Sequence, residues 1–167
     1  MNLDFRLIEL FNTLPNITDY EGNSFKSSYD FGTKEDLNRF LQSMKRENSN
    51  PYPLVWLITP YDEQPQEVKA TFETEFDLVV ATITNANLSN RERVKLNFDT
   101  ILFPLIENIY KAFERSGFTT LIEKKLLTKY YNYTEADKSF TTDIWDAVKI
   151  RLKISYNNCI INNKINY

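Results

Sequence analysis

The chain has 167 residues and a formal net charge of −3, with 42% of its residues hydrophobic and 26% charged. This size and balance predict one globular domain with its own core rather than a disordered chain. The acidic balance argues against a general nucleic-acid binder, which is usually basic. Histidine is absent and Cys159 is the single cysteine, which excludes a histidine-ligated zinc site, a Ser-His-Asp triad and an intramolecular disulfide within the chain.

Membrane and secretion signals do not stand out in the sequence. No apolar stretch approaches the roughly 18 residues that a membrane-spanning helix requires. Residues 1–6 have no basic segment followed by an apolar run, so they do not predict a signal peptide. We therefore expect no membrane partner.

Two amphipathic helices are predicted in the first third of the chain. Apolar residues recur at spacings of three and four between Leu3 and Leu14, and Pro15 ends this pattern. Thr33 is a typical N-cap. The acidic residues that follow it suit the first turn of a second helix, which should run to about Glu47.

An aromatic segment lies between these two helices. Residues 17–31 contain the turn signal Glu21-Gly22-Asn23, which predicts a β-hairpin. A buried hairpin would be ordinary sheet, whereas an exposed one would be a docking arm for a partner. The aromatic residues of this segment are Tyr20, Phe25, Tyr29 and Phe31.

Strands are predicted in the middle of the chain. Residues 54–58 form a continuous apolar run between two prolines, which is typical of a strand buried on both faces. The polar segment from Tyr61 to Gln66, which includes Asp62, predicts a turn. Residues 68–84 predict one long strand, or two strands joined by a bulge near Glu75.

A long helix is predicted in the second half. Ser89 and Glu92 have the spacing of a capping box, which marks a helix start. Residues 101–113 carry a strong apolar stripe, and Gly117 is a typical end. Because Pro104 lies inside the stripe, the helix either kinks there or begins its regular part nearby.

The C-terminal third predicts one ambiguous segment, one strand and a tail. The leucines and isoleucine within residues 118–133 favour a helical turn, whereas residues 148–156 alternate as a strand with one buried and one solvated face. Residues 159–167 predict a tail beyond a single domain of residues 1–158. Two apolar tail residues that could dock on a neighbour are Ile160 and Tyr167.

A basic row follows from the alternation of the last strand. Lys149, Arg151 and Lys153 share one face. This face is either solvated, which would keep the strand from aggregating, or a positive stripe that meets an acidic partner or faces a nucleic-acid channel. Asp143 and Asp146 precede the row and weaken its field, which favours a protein partner over DNA.

Catalytic and metal-binding patterns are weak. The three glycines are far apart and form no phosphate-binding loop. Asp62, Glu67 and Lys69 come nearest to a metal-dependent nuclease pattern, but the two acids are only five positions apart in the chain, which is short for ligands from successive strands. We expect neither enzymatic activity nor a cofactor.

The order of elements resembles a known family. A helix, a β segment, a second helix, a central strand, a long strand, a long helix and a closing strand follow one another. This order resembles tail-terminator and tail-completion proteins of tailed bacteriophages, including ring proteins of the crAss-like phages of Bacteroidetes. The segments that carry the resemblance are Tyr52-Pro53-Leu54-Val55-Trp56-Leu57, Val79-Val80-Ala81-Thr82, Asn90-Arg91-Glu92-Arg93, Ile101-Leu102-Phe103-Pro104-Leu105 and Trp145-Asp146-Ala147-Val148.

The resemblance implies an α+β fold, with an antiparallel or mixed sheet and amphipathic helices packed on one side. It implies a non-enzymatic subunit that forms a ring with copies of itself, in the virion and in host cytoplasm during assembly. Portal, connector or tail proteins would be its neighbours, and double-stranded DNA would pass through the lumen. Our contact candidates are Tyr20, Phe25, Tyr29, Tyr61, Asp62, Lys149, Arg151, Lys153, Ile160 and Tyr167.

Two other classes fit the same composition. A small intracellular protein-binding adaptor module predicts a monomer or dimer with one concave aromatic patch. An enzyme predicts at least three carboxylates in one cleft.

Overall fold

The computed structural model describes residues 2–66, 71–133 and 143–157. The helices are α1 (Leu3–Asn12), α2 (Lys34–Arg46), α3 (Asn90–Arg93), a π-helical segment (Val94–Leu102) and α4 (Phe103–Arg115). The strands are β1 (Ile17–Thr18), β2 (Ser24–Phe25), β3 (Ser28–Gly32), β4 (Leu54–Ile58), β5 (Glu63–Gln66), β6 (Thr71–Ile83), β7 (Thr119–Tyr133) and β8 (Trp145–Asn157). None of the helices in these residues is both long and apolar enough to cross a membrane.

One mixed sheet organises the fold. Its strand order is β3–β4–β6–β8–β7, and β5 pairs with β6. The β3–β4 pair is parallel and the other pairs are antiparallel. β6 and β8 pair continuously from Thr71–Asn157 to Ile83–Trp145, so the single-strand alternative for β6 is correct. The expected α+β class with a mixed sheet is confirmed, and the chain forms a single compact domain.

Helices cover the two faces of this sheet unequally. α1, the π-helical segment and α4 pack on what we call the helix face, which includes Val55, Leu78 and Ile150. The expected one-sided packing holds for these helices, but α2 packs on the opposite face against Trp56 and Val79. This difference arises because α2 connects the parallel strands β3 and β4, and the hand of such a crossover decides which face its helix covers.

Local signals fixed most helix ends. Thr33 and Asp36 form a capping box at α2, as do Ser89 and Glu92 at α3. Pro104 lies in the first turn of α4, so the regular helix begins near it rather than kinking. Gly117 follows the C-cap of α4 with a φ of 69°, in the left-handed region that favours glycine.

Two predictions of local structure are wrong. Part of the predicted loop from Tyr61 to Gln66 is strand β5, which pairs with β6. The predicted helical turn in residues 118–133 is the long strand β7. The predicted tail, with Cys159, Ile160 and Tyr167, lies outside the described residues, as do Glu67 and Lys69.

Candidate interaction surface

The aromatic segment of residues 17–31 does not form a single exposed patch. β1 and β2 do make the predicted hairpin, but its aromatic residues have separate environments. Tyr20 is 58% exposed, and the Lys95 ammonium lies 4.6 Å from its ring centroid. Phe25 is half-buried. Tyr29 packs on Phe11 with ring centroids 4.3 Å apart, so it belongs to the core periphery.

Hydrogen bonds and a ring contact within the chain hold the segment around Tyr61 and Asp62 in place. The Tyr61 hydroxyl donates to Asp4, and its ring lies 6.0 Å from that of Phe76. Burial raises the pKa of Tyr61, and the neighbouring Asp4 carboxylate raises it further. The Asp62 carbonyl accepts a hydrogen bond of 2.7 Å from Thr74. Of the two candidates, Asp62 is the exposed one.

The basic row of β8 pairs with acidic residues of β6. Arg151 donates two hydrogen bonds to Asp77, Nε to Oδ1 at 2.6 Å and Nη2 to Oδ2 at 2.9 Å. Lys153 Nζ lies 2.9 Å from Glu73 Oε2. Lys149 Nζ lies 3.6 Å from Asp77 Oδ2. These five side chains therefore pair with one another within the sheet. They lie opposite the helix face, on the part of the sheet that α2 leaves uncovered.

We call this surface the charged face, defined by Glu73, Glu75, Asp77, Lys149, Arg151 and Lys153. An open cleft of about 430 Å³ lies between it and the segment from Ile58 to Gln64. Among the described residues, no three His, Cys, Asp or Glu side chains are grouped so that they could hold a metal ion. The acidic and basic side chains of the charged face that line the cleft are paired with one another.

A pH experiment tests the pairing on the charged face. Hydrogen bonds from Arg151, together with the positive charges of Arg151 and Lys149, lower the pKa of Asp77 below its ordinary value of about 3.9. A lowered pKa stabilises the fold above the unfolded pKa, and this contribution is lost as the pH falls through the folded pKa. We expect Asp77→Asn to lower the melting temperature at pH 7 and to differ less from the wild type near pH 2.

Asp62→Asn is the matched control, because Asp62 is exposed and is not one of the paired residues of the charged face. It should melt like the wild type at both pH values. Equal destabilisation of Asp77→Asn at pH 7 and pH 2 would show that the ion pairs are not the cause.

The strand β7 forms an open edge of the sheet. It has 15 residues and pairs with β8 on one side, and within the described residues no strand pairs with its other side. Ile122, Leu126 and Leu127 are 44%, 47% and 45% exposed there. A long apolar edge of this kind offers unpaired backbone groups to another strand.

The lysines of β7 are folded away from this edge. Lysines commonly protect an edge strand by standing in front of it. Here Lys124 Nζ lies 4.0 Å from the Tyr110 ring centroid on α4, and Lys129 Nζ lies 4.8 Å from the Phe103 ring centroid. Lys125 Nζ reaches across β8 to Glu75, at 2.5 Å. The ammonium groups of these three lysines are therefore held by other elements, while Ile122, Leu126 and Leu127 stay exposed on β7.

A buried ion pair anchors the far end of β7. Arg93 Nη1 lies 3.0 Å from Asp146 Oδ1, and the side chains are 2% and 0% exposed. The same nitrogen donates to Asn132 Oδ1 of β7 at 2.7 Å. Nε and Nη2 donate to the backbone carbonyls of Leu88 and Asn85. One guanidinium thus joins α3, the preceding loop, β7 and β8.

Sequence reasoning missed the β7 edge, although one signal was present. Threonine and tyrosine are frequent in residues 119–133, and both residue types favour strands. The apolar doublets Leu121-Ile122 and Leu126-Leu127 have a spacing typical of a helix, and this spacing outweighed the preference for a strand. Pairing with β8 shifts register between Leu121 and Glu123 and again between Lys124 and Leu126, which breaks the alternation.

Comparison with known proteins does not assign the chain. No protein-family model matches it, and no curated protein has significant sequence similarity to it.

Proposed function

We propose that this protein is a non-enzymatic structural subunit of a phage head–tail connector or tail-terminator ring. Copies of the chain would form the ring, and portal, connector or tail proteins would be its neighbours in the virion. Double-stranded DNA would pass through the lumen. The observation that carries the proposal is the open edge of β7, because an assembly subunit needs a surface built for repeated contact.

The geometry of β7 supports assembly in two ways. Its backbone groups can extend the sheet into a neighbouring subunit, and strand addition gives affinity through main-chain hydrogen bonds. Its three exposed apolar side chains lose contact with water in such a contact, which favours association. A head-to-tail contact between this edge and a different surface of the next copy generates a ring if the rotation closes.

The charge distribution suits a passage for DNA. The net charge is −3, and the basic side chains of the charged face are paired with acids of β6. A lumen of this character would attract DNA weakly, since like charges repel and the cations are already neutralised. DNA could then slide through without being held.

The experiment is the mass and shape of the purified chain. Light scattering over a range of concentrations, with electron micrographs of the same samples, should show closed rings many times the 19.8 kDa subunit mass. Leu126→Lys should reduce ring formation by placing a charge on the β7 edge, while Phe5→Lys, at a 57% exposed position of α1, should not. Subunits that never exceed a dimer and show no ring would contradict the proposal.

The same edge also favours a second candidate, the protein-binding adaptor. An open β edge can accept an extended segment of an unrelated protein. An adaptor would remain a monomer or dimer on its own. The mass measurement therefore separates the two candidates.

A further inference from the structure

An open groove with a volume of about 290 Å³ lies between α1 and the C-terminal half of α4. Leu10 and Ala112 are partly buried in it against the core, and Leu14 is buried. The Lys111 ammonium beside the groove lies 3.6 Å from the Glu107 carboxylate of the same helix. We call this feature the α1–α4 groove, and the residues that define it are Leu10, Leu14, Pro15, Lys111, Ala112 and Arg115.

The described chain ends beside one end of this groove. The backbone N–H of Asn157 donates to the carbonyl of Phe118 at 3.2 Å, and the Asn157 carbonyl accepts from Arg6 Nη1 at 2.9 Å. Phe118 follows two residues after Ser116, which lines the groove. Arg6 lies about one helical turn before Leu10 in α1. The chain therefore leaves β8 at the end of the groove that Leu10 and Ser116 form.

The next ten residues, which we call the C-terminal segment (158–167), alternate in polarity. If extended, the segment has one mainly apolar and one mainly polar side. In β8 the even-numbered residues face the core and the odd-numbered ones carry the basic row. A straight continuation of β8 would reverse this arrangement, so the apolar side of the segment suits a surface away from the sheet. The apolar side contains Cys159, Ile161, Asn163, Ile165 and Tyr167, and the polar side contains Asn158, Ile160, Asn162, Lys164 and Asn166.

We propose that the C-terminal segment binds in the α1–α4 groove of its own subunit, extended, with its apolar side against the apolar residues of the groove. Ten extended residues reach about 33 Å, whereas α4 rises only about 12 Å from residue 108 to residue 116. Binding removes Ile161 and Ile165 from water together with Leu10 and Ala112, which favours the contact. Lys164 belongs to the polar side, so its charge points away from Lys111.

The position of Asn157 favours the same subunit over a neighbouring copy, on which the tail was expected to dock. A segment tethered beside its site has an effective concentration in roughly the millimolar range. The tail of a second copy would have to compete with that segment. The contact lies within one subunit, so it goes beyond the proposed ring and does not depend on it. It would keep the apolar side of the segment away from other copies and leave assembly to the β7 edge.

Reaction of Cys159 with iodoacetamide tests the contact from the side of the segment. Cys159 is the only cysteine of the chain, so every modified thiol reports on this position. The full wild-type chain should react at least about tenfold more slowly than a synthetic peptide of residues 156–167, because a buried thiol reacts only when the segment is released. Ile161→Asn should react nearly as fast as the peptide. Ile160→Asn is the matched control, the same change on the polar side, and should react like the wild type.

A second pair of variants tests the groove itself. Ala112→Arg places a long side chain in the groove and should speed the reaction as Ile161→Asn does. Glu9→Arg, at an exposed position of α1 outside the groove, should leave the rate unchanged. Circular dichroism checks that all variants are folded. A wild type that reacts as fast as the peptide, or an Ala112→Arg variant that reacts as slowly as the wild type, would overturn the inference.

Dependence on protein concentration separates the two possible subunits. A contact within one subunit gives the same rate from about 5 to 200 μM protein, because the tether fixes the effective concentration. Protection that increases with protein concentration would assign the groove to the tail of a neighbouring copy and would overturn the inference. Light scattering of the same samples reports the ring separately, so a protected thiol in a chain that forms no ring would support this contact while contradicting the proposed function.

Discussion

Replacing Arg93 by methionine should lower the free energy of unfolding by about 3–5 kcal/mol, because it leaves a buried charge without its partner. Asp146 is fully buried, and the remaining donor to its carboxylate would be Asn97, whose Nδ2 lies 2.7 Å from Oδ2. The backbone carbonyls of Asn85 and Leu88 would also lose the hydrogen bonds that Arg93 donates to them, although the Asn85 carbonyl keeps the one from the Leu88 backbone N–H. Chemical denaturation at pH 7 measures the loss.

Two further variants separate the charge from the side-chain volume. Arg91→Met is the matched control, because Arg91 is exposed in the same short helix, and it should stay within about 0.5 kcal/mol of the wild type. Arg93→Met combined with Asp146→Leu removes both charges and should be more stable than Arg93→Met alone. A single Arg93 variant as stable as the Arg91 control would show that the pair does not hold α3 to the sheet.

Hydrogen exchange gives a second reading of the same variant. Arg93 binds Asn132 at the end of β7, so its loss should speed exchange in the last residues of β7 more than at the start of that strand. This pattern would connect the anchor to the candidate edge. Uniform acceleration across the sheet would mean that the network supports the whole fold and not β7 in particular.

The importance of Arg93 could not be predicted from the sequence. It stands among charged residues in the first turn of a predicted helix, a setting typical of solvent exposure. Its partner Asp146 is 53 residues away, at the start of β8. From the sequence, Asp146 was interpreted only as a negative charge that weakens the field of the basic row. The pairing arises only when α3 and β8 meet, and no local pattern carries that information.

The basic row gives a similar lesson about register. The alternation in residues 148–156 predicts which side chains share a face, and this prediction is correct for β8. Alternation does not say which strand lies beside it. Because β8 lies between β6 and β7, Arg151 lies opposite Asp77. The basic row therefore forms its ion pairs with acidic residues of the same chain.

Secondary structure was predicted correctly where the apolar periodicity is unbroken, and wrongly in β7, where bulges interrupt it. The stripe of α2 and the apolar run of β4 have a single period, and both elements form as expected. In β7 the bulges place apolar residues side by side, which mimics a helical spacing. The surface that carries the proposed function lies in the segment where the period fails, so sequence reasoning chose other contact residues.

Phe113→Ala should produce the second large loss, about 3–5 kcal/mol in the free energy of unfolding. The side chain is fully buried on the helix face. Its ring centroid lies 5.8 Å from that of Phe11 in α1 and 6.2 Å from that of Phe76 in β6. Removing the ring opens a cavity between two helices and the sheet, and the rigid sheet limits collapse of the site. Denaturation measures the effect.

Phe5→Ala is the control, since Phe5 is 57% exposed in α1 and should change stability little. Phe113→Leu keeps most of the volume and should cost less than Phe113→Ala. A loss below about 1 kcal/mol for Phe113→Ala would mean that the neighbouring side chains refill the space, in conflict with close packing.

A double-mutant cycle with Phe11→Ala shows how α1 is held. The two rings meet edge to face at 89°, a geometry that contributes about 0.5–1.5 kcal/mol beyond area burial. The double variant should therefore lose less stability than the sum of the two single variants, because each single change already removes the contact. Strict additivity would place the docking of α1 in its other buried residues, Leu3 and Leu7, and would leave Phe113 as a support of α4 and the sheet alone.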